Sequence, residues 1–254
     1  MHSLRFTAET SSDGVLERDF TLGEITGALW TPASGTDRLP LVLMGHGGGQ
    51  HGKAPAMAGR AHRIVTGCGF AVAAIDAPGH GGRPRTARDE REIAAMRRAM
   101  SADEPVGPIV GRYNAHLAER AVPEWRATLD ALQELPEIGA GGPVGYLGLS
   151  LGSAIGVPLV AAEPRISAAV LGLFWLESLV ETAERITVPI EFLLQWDDEL
   201  IPRESGLALF DAFASKEKTL HANTGAHKDL PRFEADSAVR FFARHLGRAG
   251  TSPA

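Results

Sequence analysis

The chain has 254 residues, 44% of them hydrophobic and 22% charged, with a formal net charge of −6. That length suits one large domain with a full core, and the acidic balance argues against a nucleic-acid surface. The single cysteine, Cys68, excludes an intramolecular disulfide and fits a reducing compartment.

The first residues lack a basic start followed by an apolar core, and no apolar run reaches the length of a membrane span. A cytoplasmic protein with no membrane partner is therefore expected. In chain order, Phe20 to Trp30 reads as edge strands or a hairpin. Leu41 to Met44 is a short apolar run that empties into glycines. Pro55 to Thr66 reads as a helix and Phe70 to Ile75 as a buried strand. Trp125 to Leu135 has helical spacing, with Trp125, Leu129 and Leu132 on one face. Val144 to Leu147 is a strand, followed by a helix from Leu151 to Ala162. Ala168 to Leu173 and Ile190 to Trp196 are further buried strands. Leu207 to Phe213 is helical, Lys218 to His221 strand-like and Arg232 to Leu246 helical, and residues 248–254 are expected to fray. Buried apolar strands separated by helices predict an α/β domain with a mainly parallel sheet.

One segment breaks the rhythm. From Arg83 to Arg120 no core strand is present. Asp89 to Met100 reads as a charged helix, then Pro105, Gly107 and Pro108 break it, then a second short helix follows. Insertions of this length in compact domains tend to be functional, so a small lid within residues 83–120 of a single 1–254 domain is expected. The arginines that open it read as a solvated face.

The chemistry-bearing stretch is Gly148-Leu149-Ser150-Leu151-Gly152, between a strand and a helix. In that context Gly-x-Ser-x-Gly forms a sharp turn that lifts the serine off the carboxyl edge of a sheet. The motif alone carries little weight in a chain with 29 glycines. Its partners add the weight. A serine hydroxyl needs a base, and histidine oriented by a carboxylate is the usual one. Downstream, the strand ending at Trp196 runs into Asp197-Asp198-Glu199-Leu200-Ile201-Pro202, and Gly225-Ala226-His227 precedes the last helix. The glycines after Met44 let backbone N–H groups turn toward a developing negative charge.

Taken together, these motifs resemble the α/β-hydrolase family over nearly the whole chain outside the excursion. His46-Gly47-Gly48-Gly49 resembles the family's oxyanion loop, and Asp76 to Gly81 the loop after its fourth strand. The resemblance implies a mostly parallel central sheet flanked by helices, with a small helical lid. It implies Ser150 as nucleophile, His227 as base and Asp198 as the orienting acid, because two residues separate Asp198 from an Ile-Pro pair. Asp197 is then a turn residue satisfied by local backbone N–H groups. Gly48 and Leu151 are the implied oxyanion donors. His46 and His80 are expected to brace their loops.

Within the family, the excursion and the Trp125 helix resemble dienelactone-hydrolase-like and acyl-esterase branches, although dienelactone hydrolases proper carry cysteine at the elbow. Ser150 excludes the dehalogenase and epoxide-hydrolase branches, which need aspartate there. The expected activity is hydrolysis of a small-molecule carboxylic ester or thioester through an acyl-enzyme. A peptidase or amidase on the same triad is one alternative, and a non-catalytic ligand-binding protein on this scaffold is another. Trp175 and Trp196 follow strand ends and read either as core or as walls of an apolar substrate pocket. No cofactor is expected. His46, His51 and His80 match no metal-ligand spacing, and no Gly-Lys-Ser/Thr follows the glycine run, so neither metal nor nucleotide is expected.

Overall fold

A computed structural model describes residues 3–34 and 38–247. The tail expected to fray, 248–254, lies outside the described residues. Among the described residues nine strands form one sheet in the order β1-β2-β3-β5-β4-β6-β7-β8-β9. β1 (Arg5–Ser12), β2 (Val15–Leu22) and β3 (Ile25–Pro32) are an antiparallel meander. β3 also pairs antiparallel with β5 (Ala71–Ile75). From there the sheet is parallel, through β4 (Leu41–Gly45), β6 (Val144–Gly148), β7 (Ile166–Gly172), β8 (Ile190–Gln195) and β9 (Lys218–Asn223). The hairpin expected between Phe20 and Trp30 is β2–β3. The edge strand β1 was not anticipated: it is polar and exposed along its length, so it carries no burial pattern.

Strands β4, β5, β6 and β8 are buried at every position, as parallel strands covered on both faces must be. One face packs against α1 (Pro55–Cys68) and α7 (Phe233–Leu246), around Met57, Ile64, Leu147, Leu193 and Phe242. The other packs against α3 (Gly107–Gln133), α4 (Leu151–Ala162) and α6 (Arg203–Ala212), around Leu117, Trp125, Tyr146, Ile155 and Phe192. Pro55 opens α1, where its missing N–H is no loss, and Gly69 closes it in the left-handed conformation at φ 69°. Cys68 packs half-buried at the end of α1, its Sγ 3.4 Å from the Val239 carbonyl.

The excursion differs from its sequence reading. α2 (Ala87–Ser101) is capped by Thr86 and Asp89, which exchange side-chain and backbone hydrogen bonds. The second short helix and the Trp125 helix are then one 27-residue helix, α3, with Pro123 inside it. A proline in a helix interior costs about 3 kcal/mol. The buried stripe of Tyr113, Leu117, Ala121, Trp125, Leu129 and Leu132 runs through Pro123 at helical spacing, and its burial outweighs that cost. Arg83 ties the start of the excursion to α3 by a two-point pair with Glu124 at 2.6 and 2.7 Å. The short α5 (Val180–Ala183) follows a 3₁₀ turn after β7. Among the described residues, no helix is long and apolar enough to cross a membrane.

Candidate active site

β6 leads into Ser150, whose φ of 56° and ψ of −118° form a sharp, strained turn before α4. Both flanking glycines are required by their surroundings. A Cβ on Gly148 would lie 2.5 Å from the Gly152 carbonyl oxygen, and one on Gly152 would lie 2.5 Å from the Gly45 oxygen. The turn is pinned from behind. Ser150 N–H donates to the Gly172 carbonyl at 3.0 Å. Buried Ser153 accepts from Gly172 N–H at 2.7 Å and donates to the Gly148 carbonyl at 2.6 Å. Tyr146 donates its hydroxyl to the Gly152 carbonyl at 2.7 Å.

Two loops bring the other side chains to Ser150. After β8, Asp198 turns back on its own loop, and its Oδ1 accepts from Leu200 N–H at 2.8 Å and Ile201 N–H at 2.9 Å. Its Oδ2 lies 2.7 Å from His227 Nδ1, and His227 Nε2 lies 3.2 Å from Ser150 Oγ. A carboxylate against Nδ1 favours the tautomer with the proton there, leaving the Nε2 lone pair toward the hydroxyl. Asp197 points elsewhere: its Oδ2 accepts from Gly225 N–H at 3.1 Å. Its partner is thus on the neighbouring loop, whereas the sequence reading expected local backbone N–H groups.

Sequence reasoning missed two residues here. Glu199 Oε2 accepts the backbone N–H of His227 at 2.9 Å, and that bond lowers the Glu199 carboxyl below its ordinary value. Buried Gln195 donates to the Ala226 carbonyl at 3.1 Å. The acidic run Asp197-Asp198-Glu199 was the available signal. Each of its carboxylates takes a different group of the 225–227 turn.

Beside Ser150 and His227 lies a cavity of about 400 Å³. Residues of the excursion, from Pro105 to Asn114, line one side. Phe174, Trp175, Leu176, Leu200 and Ile201 line the other. The Trp175 indole N–H is buried without a hydrogen-bond partner among the described residues. Trp196, expected as pocket wall, is not part of this lining. It is 41% exposed, with the Arg203 guanidinium stacked 3.9 Å over its ring. The residue after a strand end takes either face, and here cation–π stacking holds it outward.

No protein-family model matches the chain, and no curated protein does. Solved structures do. A cold-adapted esterase from an Arctic intertidal metagenomic library, as a PEG-bound complex, is 33% identical at a TM-score of 0.74, covering 94% of this chain and 97% of that one. The chain belongs to the α/β-hydrolase superfamily. The native structure of a cold-adapted esterase from such a library is 30% identical to this α/β-hydrolase, covering 95% and 99% of the two chains at a TM-score of 0.70. The acetyl xylan esterase of Paenibacillus sp. R4, at 16% identity and a TM-score of 0.67 over 96% and 88% of the chains, shares the fold alone.

In this α/β-hydrolase the residues expected to supply oxyanion donors lie within the elbow, at Leu151, and in the loop after β4, at Gly48. Leu151 is the first residue of α4, where N–H groups lack intrahelical acceptors. Gly48 lies in the exposed turn after β4, and a Cβ on Gly45 at the end of that strand would stand only 3.1 Å from Gly152 Cα. His46 holds the turn from beneath. It is buried, with Nδ1 2.8 Å from the Gly47 carbonyl, and its Nε2 accepts from Ala77 N–H at 3.0 Å. His80 packs against it, with ring centroids 5.2 Å apart and the ring planes tilted by 50°.

Burial pushes the His46 imidazole down from its ordinary 6.5 to about 4. It is therefore neutral in the folded hydrolase while the unfolded chain takes up a proton as pH falls. Stability is fully present above 6.5 and is lost as pH drops toward about 4, a loss of at most about 3 kcal/mol. Urea unfolding at about pH 7 and about pH 4.5 tests this. His46→Gln should unfold more easily at neutral pH but lose less on acidification. Equal acid losses in both proteins would remove His46 from that role.

Proposed function

We propose that the protein is a serine esterase that hydrolyses small-molecule carboxylic esters through an acyl-enzyme. It is a hydrolase of the carboxylesterase type. The observation that carries the serine mechanism is the unbroken line Asp198–His227–Ser150, with 2.7 and 3.2 Å between successive polar atoms.

In this reading Ser150 attacks the ester carbonyl while His227 Nε2 takes the hydroxyl proton. Asp198 holds the imidazole in tautomer and stabilises its charged form. The N–H groups of Leu151 and Gly48 receive the oxyanion. His227 then passes the proton to the leaving alcohol. Water enters, gives a proton to His227 and attacks the acyl-enzyme, and Ser150 is restored as the acid departs. No cofactor takes part in these steps.

The cavity next to Ser150 is mostly apolar and takes the acyl portion. Residues 83–120 act as a lid whose 105–114 stretch forms its outer wall. A series of p-nitrophenyl esters of rising chain length, with a lactone and a thioester alongside, tests the reading. A maximum at short or medium acyl chains is expected, and no turnover of any member would reject it. Val110 lines the cavity from α3 and is half-buried. Val110→Phe should lower kcat/KM for the longest accepted ester by roughly 10-fold or more, since each methylene in such a pocket is worth 1–3 kcal/mol. The acetate ester should be little changed. An unaltered chain-length profile in the folded variant would return the excursion to plain surface.

A further inference from the structure

Away from the elbow, three ionisable side chains converge between the sheet and the last helix. Glu191 comes from β8, His221 from β9 and Glu234 from α7. One ligand atom from each lies within 4.8 Å of the others. Both carboxylate side chains are almost wholly buried, at 5% and 3% exposure. His221 sits between them, with Nδ1 2.8 Å from Glu234 Oε2 and Nε2 3.9 Å from Glu191 Oε2.

Three of the four carboxylate oxygens have partners. Asn223 donates to Glu234 Oε1 at 2.8 Å, His221 meets Oε2, and Ser237 donates to Glu191 Oε2 at 3.0 Å. Glu191 Oε1 is buried and has no hydrogen-bond partner among the described residues. An orphaned carboxylate oxygen in a buried acidic pair is expensive to keep. One imidazole, even protonated, neutralises one of the two charges. Arg240, which also acts on Glu191, is exposed.

We propose that Glu191, His221 and Glu234 bind one divalent transition-metal ion of the Zn²⁺ type. One imidazole nitrogen with carboxylate oxygens suits such ions better than the hard all-oxygen cations. Asn223 and Ser237 orient the ligands, as groups behind metal-bound side chains commonly do. The ion joins β8 and β9 to α7 and reaches the site past His221, which is 25% exposed. Glu191 lies near the start of β8, whereas Asp198 follows its far end, so the ion stabilises the fold and takes no part in ester hydrolysis. The sequence reading weighed only the histidines near glycines, because these three residues come from separate elements.

The test uses the whole protein, stripped with EDTA and freed of chelator, then titrated with ZnCl₂. Calorimetry should give one saturable equivalent for the wild type, and Tm should rise by roughly 5 °C at a hundredfold excess over Kd. Glu191→Gln and His221→Gln should both lose that equivalent and the Tm rise. Metal-free Glu191→Gln should melt no lower than the metal-free wild type, because the substitution keeps the side-chain shape and removes a buried carboxylate whose Oε1 has no hydrogen-bond partner among the described residues. No saturable binding to the wild type, or the same equivalent retained by both variants, overturns the proposal.

Discussion

Ser150→Ala should abolish ester hydrolysis and all labelling by a fluorophosphonate probe, while the protein stays folded. The fold should survive because, among the described residues, the Ser150 hydroxyl contributes only its 3.2 Å contact with His227. The strained turn is held instead by the Ser150 backbone N–H, by Ser153 and by Tyr146, all untouched by the substitution. Loss of a serine nucleophile in a well-studied triad lowers kcat about a millionfold, and the remainder comes from oxyanion binding and substrate affinity. A residual rate of that order is consistent with the assignment. Labelling that persists in Ser150→Ala, mapped to another serine, would overturn it.

The second large effect separates two adjacent aspartates. Asp198→Asn should lower kcat by roughly 10⁴-fold. An amide at this position can donate to Nδ1, which draws the imidazole proton to Nε2 and leaves no base facing Ser150. Its carbonyl oxygen can still accept from Leu200 and Ile201 N–H groups, so the loop keeps its shape. Asp197→Asn should cost less than about 10-fold, since asparagine still offers an oxygen to Gly225 N–H. Measuring kcat and Tm for both variants distinguishes a catalytic loss from a folding defect. If Asp197→Asn proves the more damaging, the roles in this loop are reversed.

Much of the fold was readable because it rests on short-range rules. Short, mainly apolar runs at Leu41–Met44, Val144–Leu147 and Ile190–Trp196, the last carrying Glu191 and Gln195, state buried parallel strands without reference to anything distant. The elbow is equally local. Gly148, Ser150 and Gly152 lie within five residues, and the need for glycine comes from close backbone approach. What was not readable depends on long-range packing. The short helix of the excursion and the Trp125 helix read as separate until the stripe on α3 finds the sheet, because the local penalty of Pro123 is overridden by burial that periodicity shows only once both halves of the helix are joined. The partners of Asp197 and Glu199 depend on how the β8 and β9 loops meet, and Trp196 faces outward because Arg203 lies over it. Glu191, His221 and Glu234 come together through strand register and helix docking, and no spacing along the chain encodes either. Local sequence specifies backbone shape, whereas the meeting of charged side chains from separate elements is a property of the assembled sheet.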